Sequence, residues 1–121
     1  LFERAAARGD ASAQYSMGTF ADEGRGGLSA DPREAFRWWK RSAEQGQSFA
    51  QARLGMAYAQ GKGTRSNLVE AYAWLSASDV EDAKPILEEL DKRIPAPLLA
   101  KARRLADERR ALREATNPPQ G

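Results

Sequence analysis

Laid over itself with a shift of 37 residues, the chain repeats: Gly9 falls on Gly46, Ala13-Gln14 on Ala50-Gln51, and Met17-Gly18 on Leu54-Gly55. Beyond the glycine-rich segments the shift becomes 36, which brings Glu34-Ala35 onto Glu70-Ala71 and Trp38 onto Trp74. One additional residue in the first glycine segment accounts for the change. A period between about 20 and 50 residues is the signature of stacked supersecondary units. A unit of that size buries its apolar face only against its neighbours, so the repeat dictates a solenoid before any motif is weighed.

Each unit reads as two helices. The first, near 11–23 and again near 48–60, has apolar residues three and four apart, and Gly24 or Gly61 follows as a left-handed C-terminal cap. The second starts after Asp31-Pro32, an N-cap followed by proline at the first helical position, and its counterpart starts near Asn67. Gly18 and Gly55 lie mid-helix, where glycine costs about 1 kcal/mol against alanine, and are expected to let the second helix approach closely. Gly63 reads as a loop residue, so Gly55→Val is expected to destabilise more than Gly63→Val.

"LGMAYAQGKGT", Leu54 to Thr64, suggests a phosphate-cradling loop, but its spacing does not fit one. A P-loop needs glycine five positions before its Gly-Lys pair and Ser or Thr directly after the lysine. Met56 and Gly63 occupy those positions.

The run "SFAQARLGMAYAQGKG", Ser48 to Gly63, fits the first-helix pattern A-x-A-Q-x-x-L-G-x-x-Y-x-x-G-x-G of the Sel1-like repeat family at all positions but Ser48. "EAFRWWKRSAEQG" fits the second-helix pattern except at Ser42, while the first repeat departs at Met17 and Ala21. The chain thus resembles a C-terminal fragment of a Sel1-like protein, an α/α relative of tetratricopeptide repeats. The resemblance implies an all-α, right-handed α/α superhelix of antiparallel helix pairs. "RIPAPLLAKARRLA", Arg93 to Ala106, resembles the closing helix found on such chains, with "IPA" departing from it.

The expected division is a second-helix remnant of an upstream repeat at 1–9, repeats at 10–46 and 47–78, a capping helix pair at 79–115 and a flexible tail at 116–121. The remnant predicts excision from a longer protein and an edge prone to self-association. In the capping pair, one helix is expected from about Ala83 to Arg93, capped by Asp82, and a longer one from about Pro97 to Glu114. Leu98, Leu99, Ala102, Leu105, Ala106 and Leu112 form the apolar stripe of the longer helix.

Cysteine and histidine are both absent, which removes thiol nucleophiles, disulfides, imidazole bases and zinc sites with Cys or His ligands. The adjacent acidic pairs Asp22/Glu23, Glu81/Asp82 and Glu88/Glu89 point about 100° apart on a helix and do not converge on one atom. No catalytic residue, metal site, cofactor or small-molecule substrate is therefore expected, and the chain reads as a non-enzyme. No apolar run reaches the ~18 residues of a membrane helix. A cysteine-free chain suits an exported or a cytoplasmic setting equally, and the family resemblance tilts slightly toward a periplasmic or exported one.

Trp38 and Trp74 occupy the family's core position, and Trp39 stays open between core and surface. The segment from Ala96 carries +3 of the net +2 charge. It makes nucleic-acid binding through the last helix the alternative function, disfavoured because acids are mixed in and aromatics are lacking. The leading expectation is a protein- or peptide-binding scaffold module of a bacterial adaptor, envelope or regulatory protein. First helices line the concave surface in such superhelices, and Phe49, Arg53, Met56 and Gln60 share one face of theirs, at i, i+4, i+7 and i+11. With Ser16, Thr19 and Glu23 one repeat earlier, they form the candidate partner-binding stripe.

Overall fold

A computed structural model describes residues 2–24 and 29–116, and every regular element among them is helical. In order these are α1 Phe2–Ala7, α2 Ala11–Glu23, α3 Pro32–Glu44, α4 Ser48–Gln60 and α5 Leu68–Ser78. A 3-10 turn Glu81–Ala83, α6 Lys84–Arg93 and α7 Ala96–Thr116 follow. Gly26 lies outside the described residues, as does the expected tail beyond Thr116, the last residue of α7. Through α5, each helix packs on the next, the pattern of an all-α repeat solenoid.

Local chemistry sets the helix ends. The side chains of Asp10, Asp31, Gln47 and Asn67 each accept a hydrogen bond from the backbone N–H three residues on, at 2.8, 3.1, 2.6 and 3.1 Å. These bonds satisfy donors that a helix start leaves unpaired. Gly24 and Gly61 both close their helices at φ 67°. Asp82 does not cap α6 as expected: it lies inside the 3-10 turn, and α6 begins without a side-chain cap. The tight turn leaves Asp82 one residue short of the N-cap, which falls on Ala83.

The repeat is reproduced in the contacts between helices. A Cβ on Gly18 would lie 2.4 Å from the Trp39 indole, and one on Gly55 would lie 2.6 Å from Leu75 Cγ and 3.0 Å from Leu75 N. In both repeats a bare backbone receives a large side chain of the second helix, Trp39 or Leu75. The tryptophan expectation is accordingly corrected. Trp39 is the residue that fills the interior, 6% exposed, while Trp38 is half-buried with the Arg41 guanidinium 4.9 Å from its ring centre. Trp74 is buried as expected, among Ala43, Ala50 and Leu54.

A buried glutamine ties each repeat to the preceding one. Gln14 Nε2 donates to Ala6 O at 3.1 Å, and Gln51 Nε2 donates to Ala43 O at 3.2 Å. Donor and acceptor both recur at the same shift, which explains the Ala-Gln match in the sequence.

Gly63 proves as constrained as Gly55, contrary to the sequence expectation. Its φ is +78°, and a Cβ there would lie 2.2 Å from Pro32 O, because the second glycine loop rests on the start of α3. Lys62, beside it, reaches Asp22 of α2 at 3.1 Å.

α7 packs along α5, with Ala102 and Ala106 buried. Arg109 contacts Glu70 through both guanidinium nitrogens, at 2.9 and 3.3 Å, and stands 4.3 Å from the Trp74 ring centre. Arg110 Nη2 donates to Ser76 O, and Arg113 Nη1 donates to Ser78 O. The far end of α7 lies over the corner between α3 and α4, where a Cβ on Gly46 would meet Arg113 Cα and Leu112 O at 2.6 Å. Leu98 falls off the expected stripe, 46% exposed, whereas Leu99 packs on the cluster of Leu75, Ala83, Leu90 and Ile94.

Candidate peptide-binding furrow

On α4, Phe49, Arg53, Met56 and Gln60 do share a face, and the structure distributes them over two adjoining cavities. The larger, of about 440 Å³, is lined by Phe49, Arg53 and Met56 together with Tyr15, Leu75 and the segment Val80 to Ile86. A smaller cleft of about 120 Å³ shares Arg53 and Met56 with it and adds Gln60, Asp22, Trp39 and Lys62. Phe49 is 58% exposed, a large aromatic left in water on an otherwise packed helix. Met56 is half-buried against the cluster of Ala71, Leu75 and Ala83, so it is not the freely exposed residue the stripe suggested.

Ser16, Thr19 and Glu23 line neither cavity. Ser16 Oγ donates to Ser12 O and Thr19 Oγ1 to Tyr15 O, so both short side chains turn back onto their own helix. α2 instead supplies Tyr15 and Asp22, each one residue earlier. Tyr15 reaches across to Phe49, with ring centres 6.1 Å apart. Only a long side chain bridges the gap between neighbouring first helices, and the sequence did carry that signal in Tyr15, where the next repeat has Ala52.

The far wall was not foreseen. After α5 the chain turns at Asp79, which takes a left-handed φ of 57°, and the 3-10 turn and α6 then set Val80, Asp82, Ala83 and Ile86 against α4. The cavity walls are apolar, with Arg53 and Asp82 as the charged residues of the lining.

A separate cavity of about 340 Å³ holds Glu70, Arg109, Trp74 and Tyr58. Burial raises the Tyr58 phenol above its ordinary pKa, and the neighbouring Glu70 charge adds to the effect. With Glu70 and Arg109 bound to each other, the arrangement is a latch between α5 and α7. Among the described residues no cluster of acidic side chains is placed to hold a metal ion, and no helix is long and apolar enough to cross a membrane.

The Sel1 repeat model matches residues 1–10, 11–47 and 48–78. The chain belongs to the Sel1 repeat family. Its fold is similar to that of a protective antigen present in uropathogenic Escherichia coli strains that displays an SLR fold, with a TM-score of 0.81 and 30% identity. That match covers 99% of this chain and 28% of the antigen. A Sel1 repeat protein from Oxalobacter formigenes is 36% identical, with a TM-score of 0.69 over 74% of this chain and 26% of that one. The chain therefore spans little more than a quarter of either structure. A search of curated proteins finds no significant match. Sel1 repeats are in general protein-interaction scaffolds and typically non-catalytic, and this chain shares their architecture.

Proposed function

We propose that the furrow beside α4 receives a segment of a partner protein, and that the chain serves as a binding module of a larger bacterial scaffold. The observation that carries this reading is Phe49, 58% exposed at the edge of an apolar cavity of about 440 Å³. Burying an aromatic of this kind supplies much of the energy of a peptide contact. Nucleic-acid binding through α7 is the weaker reading because four of the helix's six cations are held by other groups of the chain. Arg103 pairs with Asp91 and Arg109 with Glu70, while Arg110 and Arg113 bond the end of α5.

Photocrosslinking tests the proposal directly. A benzophenone amino acid replacing Phe49 in the full-length protein is expected to capture a partner polypeptide in cells. The same group at Arg104, on the solvent side of α7, is expected to capture none. Capture from position 104 alone would move the site to α7, and an Arg53→Glu substitution should weaken the adduct formed from position 49.

A further inference from the structure

The furrow extends beyond its central cavity, and its two ends differ in charge. At one end lies the small cleft that shares Arg53 and Met56 with the centre. At the other lies a cleft of about 470 Å³ that shares Phe49, Val80 and Asp82 with the centre and adds Ser48, Asp79 and Arg113. The two end clefts have no residue in common, so they flank the cavity on different sides.

Most charges along this path are already compensated. Asp22 pairs with Lys62, Asp79 with Arg113, and Glu81 with Lys84. Among the described residues Arg53 makes no ion pair or hydrogen bond, and its guanidinium carbon lies 6.0 Å from the Trp39 ring centre. Among the described residues Asp82, on the opposite wall, has no ion pair or hydrogen-bond partner either. Among the described residues the central cavity thus carries an unpaired cation and an unpaired anion, Arg53 shared with one end cleft and Asp82 with the other.

We infer that the segment bound in this furrow is dipolar: an apolar side chain in the cavity, an acidic residue toward Arg53 and a basic residue toward Asp82. The inference rests on the furrow being the binding site and adds the order of charges to it. Complementary charges at the rim contribute modestly to affinity and strongly to orientation. Two exposed pairs made in one order and opposed in the other separate the orders by roughly tenfold.

The test uses short fluorescein-labelled peptides of one length with a central Phe, flanked by Glu then Lys, by Lys then Glu, or by Gln on both sides. One mixed order should bind the intact protein roughly tenfold tighter than the other, with the Gln peptide between them. Raising the salt concentration should weaken the preferred peptide and leave the Gln peptide unchanged. In a charge-swapped protein, Arg53→Asp with Asp82→Arg, the preference should invert. Both positions are exposed, so its melting temperature should stay that of the parent, and the salt test on the unmodified protein does not depend on the variant folding. Equal binding of all three peptides, independent of salt and weakened by Phe49→Ala, would overturn the charge order and leave the furrow standing. Failure of every peptide to bind would overturn both.

Discussion

The two repeats share a backbone plan and differ in what covers them. Gly9 and Gly46 occupy equivalent corners with φ of 96° and 90°. Around Gly9 a Cβ would meet nothing within 4 Å, whereas at Gly46 it would strike the backbone of α7. Trp38 and Trp74 occupy equivalent positions, yet Trp74 is buried under Arg109 of α7 and Trp38 is half-buried. Gln14 Oε1 accepts from Gln45 Nε2 at 2.8 Å. Among the described residues Gln51 Oε1 has no partner, and Gln51 Nε2 also donates to Arg109 O at 3.3 Å. The corner and the tryptophan thus depart from the repeat where α7 has intervened.

Substitution at the two corner glycines should separate the repeats most strongly. Gly9→Ala should cost about 1 to 2 kcal/mol for its left-handed backbone alone. Gly46→Ala should cost about 2 to 4 kcal/mol, since strain and collision with α7 add. Urea unfolding of both variants measures the difference, and equal midpoints would mean that α7 does not seat on this corner.

Next in size is the pair Gly55→Val and Gly63→Val. Each should destabilise by about 1 to 3 kcal/mol, one by wedging α4 from α5 and the other by lifting the loop off Pro32. A near-neutral Gly63→Val would show that the loop contact yields easily.

A smaller effect comes from the glutamines. Gln51→Ala strips the buried Ala43 carbonyl and the part-buried Arg109 carbonyl of a donor and should cost about 1 to 3 kcal/mol. Gln14→Ala strips the buried Ala6 carbonyl of a donor and the part-buried Gln45 amide of an acceptor and should cost a similar amount. Hydrogen exchange should show α7 loosening in the first variant only.

The smallest concerns pH. The Tyr58 pKa is raised in the folded chain, so its stabilising contribution is complete below the unfolded value near 10. It is lost as pH climbs through the higher folded value. Tyr58→Phe should accordingly flatten the alkaline limb of a stability profile without altering the plateau near neutrality.

Helices α2 through α5 were legible in the sequence because their contacts are local and occur twice. Asp31, Asn67, Gly24 and Gly61 mark ends that the structure places where the spacing put them. The face of α4 was legible for the same reason. Three features were not. Which of the adjacent Trp38 and Trp39 meets Gly18 depends on a helix rotation that the helical period alone leaves open. The contribution of α2 to the furrow depends on side-chain reach, which selects Tyr15 over Ser16. The wall from Val80 to Ile86 and the seating of α7 depend on contacts without a counterpart in the repeat. Arg109 meets Glu70 across 39 residues, a distance at which the repeat offers no guide.

Helical solenoids flex like springs because each coil touches only its neighbours. α7 changes the mechanics of this one: a single rigid rod lies along α5 and bears on the corner at Gly46, bridging the last coil to the one before it. Tension along the stack would have to slide that rod across Gly46 before these coils could separate. The α4 wall of the furrow therefore belongs to the braced section, one corner away from the contact of α7 with Gly46.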